Sequence, residues 1–301
     1  MKKTLIITFA SVFVAILLIV LLAKACSSSS SDKEACVCNC IKNGTCSGDC
    51  KDICKASPLN ISIFLDLSDR LTKVSNSMSQ KDKDLSLIKS IEDYFYDKQW
   101  KEKLRNGDAM TIFFYPTPQV ANVNQIAQDL TIDTKLSKRS DISKVKEKLK
   151  TFRNVWNNDL NNIYTSTLQS KNWIGSDIWG FFDNQVDVQC IKKDYRNILV
   201  ILTDGYIYDK NNMIDKGDET SYLLEKTLSN PKAKLIATRT DLKDLEVLVL
   251  EVNPSHPQDF THMKNIMEDW FKKMGVKHYR IAQTDIPINT EKVISKFIEE
   301  K

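Results

Sequence analysis

Four short apolar runs, at residues 61–67, 110–115, 198–203 and 245–252, limit the folds open to this chain. Each is apolar on both faces rather than at every second position, with few polar interruptions: Ser62 and Asp66, Thr111, Thr203, and Glu246 and Glu251. Such runs fit strands covered on both faces, as in a mostly parallel sheet. The stretches between them carry apolar residues at helical spacing: Leu87, Ile88, Ile91 and Phe95 within 85–104, and Val145, Leu149, Phe152 and Trp156 within 143–170. Shorter helices are predicted at 177–182, 260–274 and 291–299, with Gly275 closing the second as its C-cap. An edge strand is predicted at 126–132 and a last strand at 279–282. Strands alternating with helices predict an α/β, doubly wound fold, its mostly parallel sheet covered by helices on both faces. Trp156, Trp173, Trp179 and Trp270 fall at helical positions and read as core.

The N-terminus sets the compartment. Lys2 and Lys3 precede an apolar run at 5–23, interrupted only by Thr8 and Ser11. A run of about 19 residues approaches the length that crosses a bilayer as a helix. It exceeds the usual apolar core of a cleaved signal peptide. The lysines stay on the cytoplasmic side, so the rest is exported. Two anchors remain open: a retained transmembrane helix, or a lipid on Cys26, which follows Ala23-Lys24-Ala25 and precedes serines 27–31 as in bacterial lipoproteins. The serines read as a flexible spacer. Cys36, Cys38, Cys40, Cys46, Cys50 and Cys54 come next. Outside the cytoplasm they are expected to form three disulfides, or else a metal cluster, although their spacing matches no common zinc or ferredoxin pattern. The organisation is then an anchor at 1–25, a serine- and cysteine-rich linker at 26–57 and a domain at 58–301, held at the cell envelope on the non-cytoplasmic side. The net charge of +4 includes Lys2, Lys3 and Lys24, so no concentrated basic face points to nucleic acid.

In open α/β sheets, ligands bind beyond the carboxyl ends of the strands. The first run leads into Asp66-Leu67-Ser68-Asp69-Arg70 and the third into Thr203-Asp204-Gly205; Gly175-Ser176-Asp177 opens a helix before that third run. Three acidic loops therefore converge on one edge. With these residues, the chain from about Leu59 onward resembles a von Willebrand factor A domain with its metal-ion-dependent adhesion site. That site has Asp-x-Ser-x-Ser after the first strand, a threonine from a later loop, and an aspartate, often followed by glycine, after the fourth strand. The resemblance implies a metal set of Asp66, Ser68, Ser176 and Asp204 holding Mg2+ (or Ca2+ or Mn2+). A protein partner's carboxylate would take the open position, in a binding module for adhesion or scaffolding rather than an enzyme. It also implies a helical insertion at about 152–173, and specificity loops at 115–118, 206–218 and 253–260.

Arg70 departs from the pattern, standing where the second serine belongs. A guanidinium cannot ligate a cation. Either it is a charge substitute for the metal, neutralising Asp66 or Asp204, or it points outward and Asp177 or Asp69 completes the set. Arg70 favours an alternative: a metal-free structural subunit of an envelope or secretion assembly. A hydrolase is the third reading, and it lacks a Gly-x-Ser-x-Gly elbow, a glycine-rich phosphate loop and an Asp-x-Asp after the first strand. Cys190 reads as a small buried hydrophobe. His256, Asp259 and His262 could bind zinc but are irregularly spaced. His278 reads as a surface residue, and Lys144, Lys146, Lys148 and Lys150 around Glu147 as a solvated face.

Overall fold

A computed structural model describes residues 57–75, 78–101, 104, 107–136, 141–170, 175–283 and 287–300. Six strands, β1 (Leu59–Leu65), β2 (Ala109–Phe113), β3 (Thr131–Asp133), β4 (Arg196–Leu202), β5 (Leu245–Leu250) and β6 (His278–Ile281), form one sheet. Their order is β6-β5-β4-β1-β2-β3. Every neighbouring pair is parallel except β2 and β3. The chain winds outward from β1 to β3, then returns to the other side of β1 for β4. The winding therefore reverses between β1 and β4, where loops leave the sheet in opposite directions.

The helices of five or more residues are α1 (Gln80–Lys101), α2 (Val123–Asp129), α3 (Ile142–Ser170), α4 (Ile178–Asn184), α5 (Val186–Cys190), α6 (Phe260–Lys273) and α7 (Pro287–Glu299). Side-chain alternation assigns the strands to two cores. Ile61, Ile63 and Leu65 join Ile198, Val200 and Leu202 under Leu87 and Ile91 of α1, Leu149 and Trp156 of α3 and Phe297 of α7. Phe64, Leu199, Ile201, Val247 and Val249 face the other way, onto Phe181 and Phe182 of α4 and Trp270 and Phe271 of α6. Phe182 meets Trp270 edge to face at 4.8 Å.

Several expectations are corrected. The edge strand at 126–132 forms only at Thr131–Asp133. Val123–Asp129 is helix instead, because Ile126 and Leu130, four residues apart, bury together on the turn. Residues 142–170 form one helix, α3, of 29 residues, and Leu160, Ile163 and Tyr164 extend the buried stripe begun at Val145. His278 is more than a surface residue, since its ring stacks on Phe297 at 4.3 Å and Nδ1 lies 2.8 Å from Glu246 Oε2. Cys190 is buried, and burial pushes its thiol up to about 12. Trp156, Trp179 and Trp270 are buried. Trp173, the anchor with Cys26, and Cys36, Cys38, Cys40, Cys46, Cys50 and Cys54 lie outside the described residues. Among the described residues no helix is long and apolar enough to cross a membrane.

Arg196 at the start of β4 pins the C-terminal helix. It donates to both carboxylate oxygens of Glu246 at 2.7 Å and to the carbonyls of Phe297, Ile298 and Glu300 at the end of α7. A cation there also suits the negative end of the helix. Arg196→Met should lower stability by about 2–3 kcal/mol in urea unfolding and speed hydrogen exchange selectively in α7. A second test concerns Glu92, buried between α1 and α3 with Arg153 Nε at 3.7 Å. Burial raises its carboxyl from 4.5 to about 7 despite Arg153. The folded state therefore holds a proton that the unfolded chain releases, and stability falls as pH rises from about 4.5 to 7. Glu92→Gln should stabilise the domain at pH 8 and leave it near wild type at pH 4.5, read by thermal melts across that range.

Candidate functional site

The chain leaves β1 at Asp66, whose carboxylate is fully buried. Oδ1 accepts from the Ser68 amide at 2.9 Å and Oδ2 from the Thr203 hydroxyl at 2.7 Å, while the Asp66 amide donates to the Leu202 carbonyl at 3.1 Å. Asp66 thus clamps the ends of β1 and β4 together. Burial pushes its carboxyl up, against the pull of Arg70. Ser68 then caps a single 3-10 turn, Asp69–Thr72.

Arg70 lies on that turn and points inward. Nη2 donates to Asp84 Oδ2 of α1 at 2.5 Å, and Nη1 to Oδ1 at 3.4 Å. Nε donates to the Asp66 carbonyl at 2.9 Å and sits 3.8 Å from Asp66 Oδ2. Tyr164 of α3 donates its hydroxyl to Asp84 Oδ2 at 2.8 Å. Gln80 donates to Asp84 Oδ1 at 2.9 Å and reaches Glu251 Oε2 at 3.5 Å. Glu251 ends β5 as a buried residue with positive φ, +67°.

Asp204 follows β4. Its Oδ1 accepts from the Tyr206 amide at 3.1 Å, and its Oδ2 from Lys73 Nζ at 2.8 Å. The bend needs glycine at 205, where φ is +97° and a Cβ would lie 2.3 Å from Met263 Sδ. Ser176 pairs with Tyr208 in a short antiparallel bridge. Its hydroxyl is buried and meets no hydrogen-bond partner among the described residues. Ser68, Ser176 and Asp204 line one cleft of about 420 Å³, walled by Tyr206, Tyr208 and Leu224 and rimmed by Asp69, Lys73, Glu225 and Ser255.

Of the residues singled out from sequence, Asp66 lies behind the cleft as its clamp. Asp177 turns away: its Oδ1 caps α4 through the Gly180 amide at 2.8 Å and accepts from Asn212 at 3.0 Å. The first position before a helix favours that use of a short carboxylate. Loops 206–218 and 253–260 reach the cleft through Tyr206, Tyr208 and Ser255; loop 115–118 lines separate grooves. His256 pairs with Glu225 at 2.7 Å and His262 Nε2 lies 3.1 Å from the Asn230 carbonyl, so the two do not form a zinc site with Asp259. Sequence reasoning missed Lys73, Asp84, Glu251 and Glu225. For Asp84 a signal existed: it sits in phase with Leu87, Ile88 and Ile91, on the buried face of α1.

The residues do not fit the divalent cation that the resemblance implies. Such an ion takes about six or more oxygens at roughly 2.0–2.6 Å. Here Lys73 already occupies Asp204 Oδ2, protein donors hold both oxygens of Asp66, and Arg70 stands in place of a hydroxyl. No group of three or more His, Cys, Asp or Glu side chains forms a metal cluster among the described residues.

No protein-family model matches the chain, and no curated protein matches it. Among solved structures, the crystal structure of the pilus adhesin SpaC from Lactobacillus rhamnosus GG is similar over 80% of this chain and 31% of that one. The identity is 14% and the TM-score 0.36, so the likeness carries no argument about role.

Arg70→Met should cost about 3–5 kcal/mol in urea unfolding, because it strands Asp84 as a buried unpaired carboxylate. Adding Asp84→Asn should recover part of that loss; no recovery would mean that Arg70 acts through packing alone.

Proposed function

We propose that the domain is a non-catalytic binding module of the von Willebrand factor A type, carried on the outer side of a cell envelope, which receives an acidic group of a protein partner in the cleft between β1 and β4. The single observation carrying this reading is that Ser68, Ser176 and Asp204, from three distant segments, border one cleft at the reversal point of the sheet. The cleft's chemistry supports binding over catalysis. Its lining includes neither histidine nor cysteine, and the Ser176 hydroxyl meets no hydrogen-bond partner among the described residues. A protein partner suits the surroundings. Tyr208, Met213 and Ile214 on one loop, and Val74 and Met78 just beyond Lys73, are exposed apolar residues of the types enriched at interfaces. The envelope location rests on the lysine-led apolar run at 5–23.

The test is capture from solubilised native envelopes on the immobilised domain. Tyr208→Ala combined with Met213→Ala should lower recovery of the retained partner about tenfold, at an unchanged melting temperature. Equal recovery by the two proteins rules the cleft out as the docking site.

A further inference from the structure

Both carboxylates at the reversal point already face a cation of this chain. Lys73 Nζ lies 2.8 Å from Asp204 Oδ2, and Arg70 Nε 3.8 Å from Asp66 Oδ2. The two cations differ in freedom. Arg70 is fully enclosed and locked to Asp84. Lys73 leaves 48% of its side chain in solvent, and its ammonium also lies 5.7 Å from the centre of the Tyr206 ring. Ser176 also lines the cleft; it is 2% exposed, and its hydroxyl has no hydrogen-bond partner among the described residues.

We infer that Lys73 holds the place of the divalent cation implied by the resemblance, so that the cleft offers an acidic partner group a resident ammonium instead of a metal ion. The inference rests on the binding role proposed for the cleft. An ammonium has three donors; one goes to Asp204, which leaves donors for an incoming carboxylate. A half-exposed ion pair is held weakly enough for a ligand to share or exchange it. The arrangement also sets the ammonium in competition with a metal. A cation bound to Asp204 Oδ2 would need a position within roughly 2.0–2.6 Å of the oxygen that the ammonium already contacts.

The experiment uses Mn2+ alone as probe, on the wild type and on Lys73→Ser, with binding read by titration calorimetry and by melting temperature. Lys73 is partly in solvent, so the substitution leaves the core untouched. The wild type should show no shift with Mn2+ or with chelator. Lys73→Ser should bind Mn2+ at least about tenfold more tightly and melt higher in its presence, and adding Asp204→Asn should abolish the gain. Equal Mn2+ affinity in the wild type and Lys73→Ser, or none in either, overturns the inference, as does a wild type stabilised by Mn2+. Because this titration reads only the charge arrangement, its failure leaves partner capture by the wild type standing. Loss of capture, conversely, leaves the titration result standing.

Discussion

Everything at the sheet edge depends on one buried charge pair, Arg70 with Asp84. Removing two ions from water costs several kcal/mol each, and their attraction offsets that only when the remaining donors and lone pairs are also met. Here they are. Asp84 takes Arg70, Gln80 and Tyr164, and Arg70 spends its Nε on the Asp66 carbonyl. Burial holds the Tyr164 phenol well above its usual range, so it remains a donor to Asp84. The network joins three pieces of chain that share no strand pairing: the turn after β1, the first turn of α1, and α3 about 80 residues further on. The turn carrying Ser68 and Lys73 is therefore fixed from below, and the cleft is presented on a rigid base.

The position of the cleft follows from topology. Asp66 and Thr203 bind the ends of β1 and β4 together, and the chain then departs in opposite directions. What the clamp leaves open above itself is the cleft. Its far side is built by loops that hold one another: the Tyr206 hydroxyl accepts from the Ser255 amide at 3.0 Å, and the Asn253 amide donates to the Asp204 carbonyl at 3.1 Å. Loops from β4 and β5 thus form one wall, and the turn from β1 forms the other.

This explains which parts could be read from sequence. β1, β4 and β5 were legible because their apolar runs are intrinsic to buried parallel strands. Ser68 and Asp204 were legible because strand ends are where such sheets place polar groups. Ser176 was legible only as part of the polar helix start at 175–177, and the resemblance alone gave it a role. Asp177 was misassigned because a carboxylate before a helix serves equally as ligand or cap, and sequence alone does not decide between them. The strand expected at 126–132 failed because a single helical turn and an edge strand share the same short apolar pattern. Lys73 was invisible for a different reason. A lysine eight residues past a strand end is ordinary solvated surface until the fold brings Asp204, 131 residues away, to its ammonium.

A lysine in place of a divalent ion changes how such a cleft must obtain affinity. Two unit charges 4 Å apart attract by about 4 kcal/mol at the effective dielectric near a protein surface and by about 1 kcal/mol in bulk water. Lys73 is half in solvent, so its attraction lies toward the weaker end, and salt screens it further. The ion pair can orient an incoming acidic group and speed its arrival, yet it cannot supply most of the binding energy. That energy has to come from apolar area around it. The structure provides such area as Tyr206, Tyr208 and Leu224 in the cleft, with Met213 and Ile214 exposed on the loop that carries the tyrosines. Under the proposed binding role the division of labour follows the anatomy of the site: charge at the centre would fix register, and the surrounding aromatic and aliphatic surface would set how tightly a partner stays.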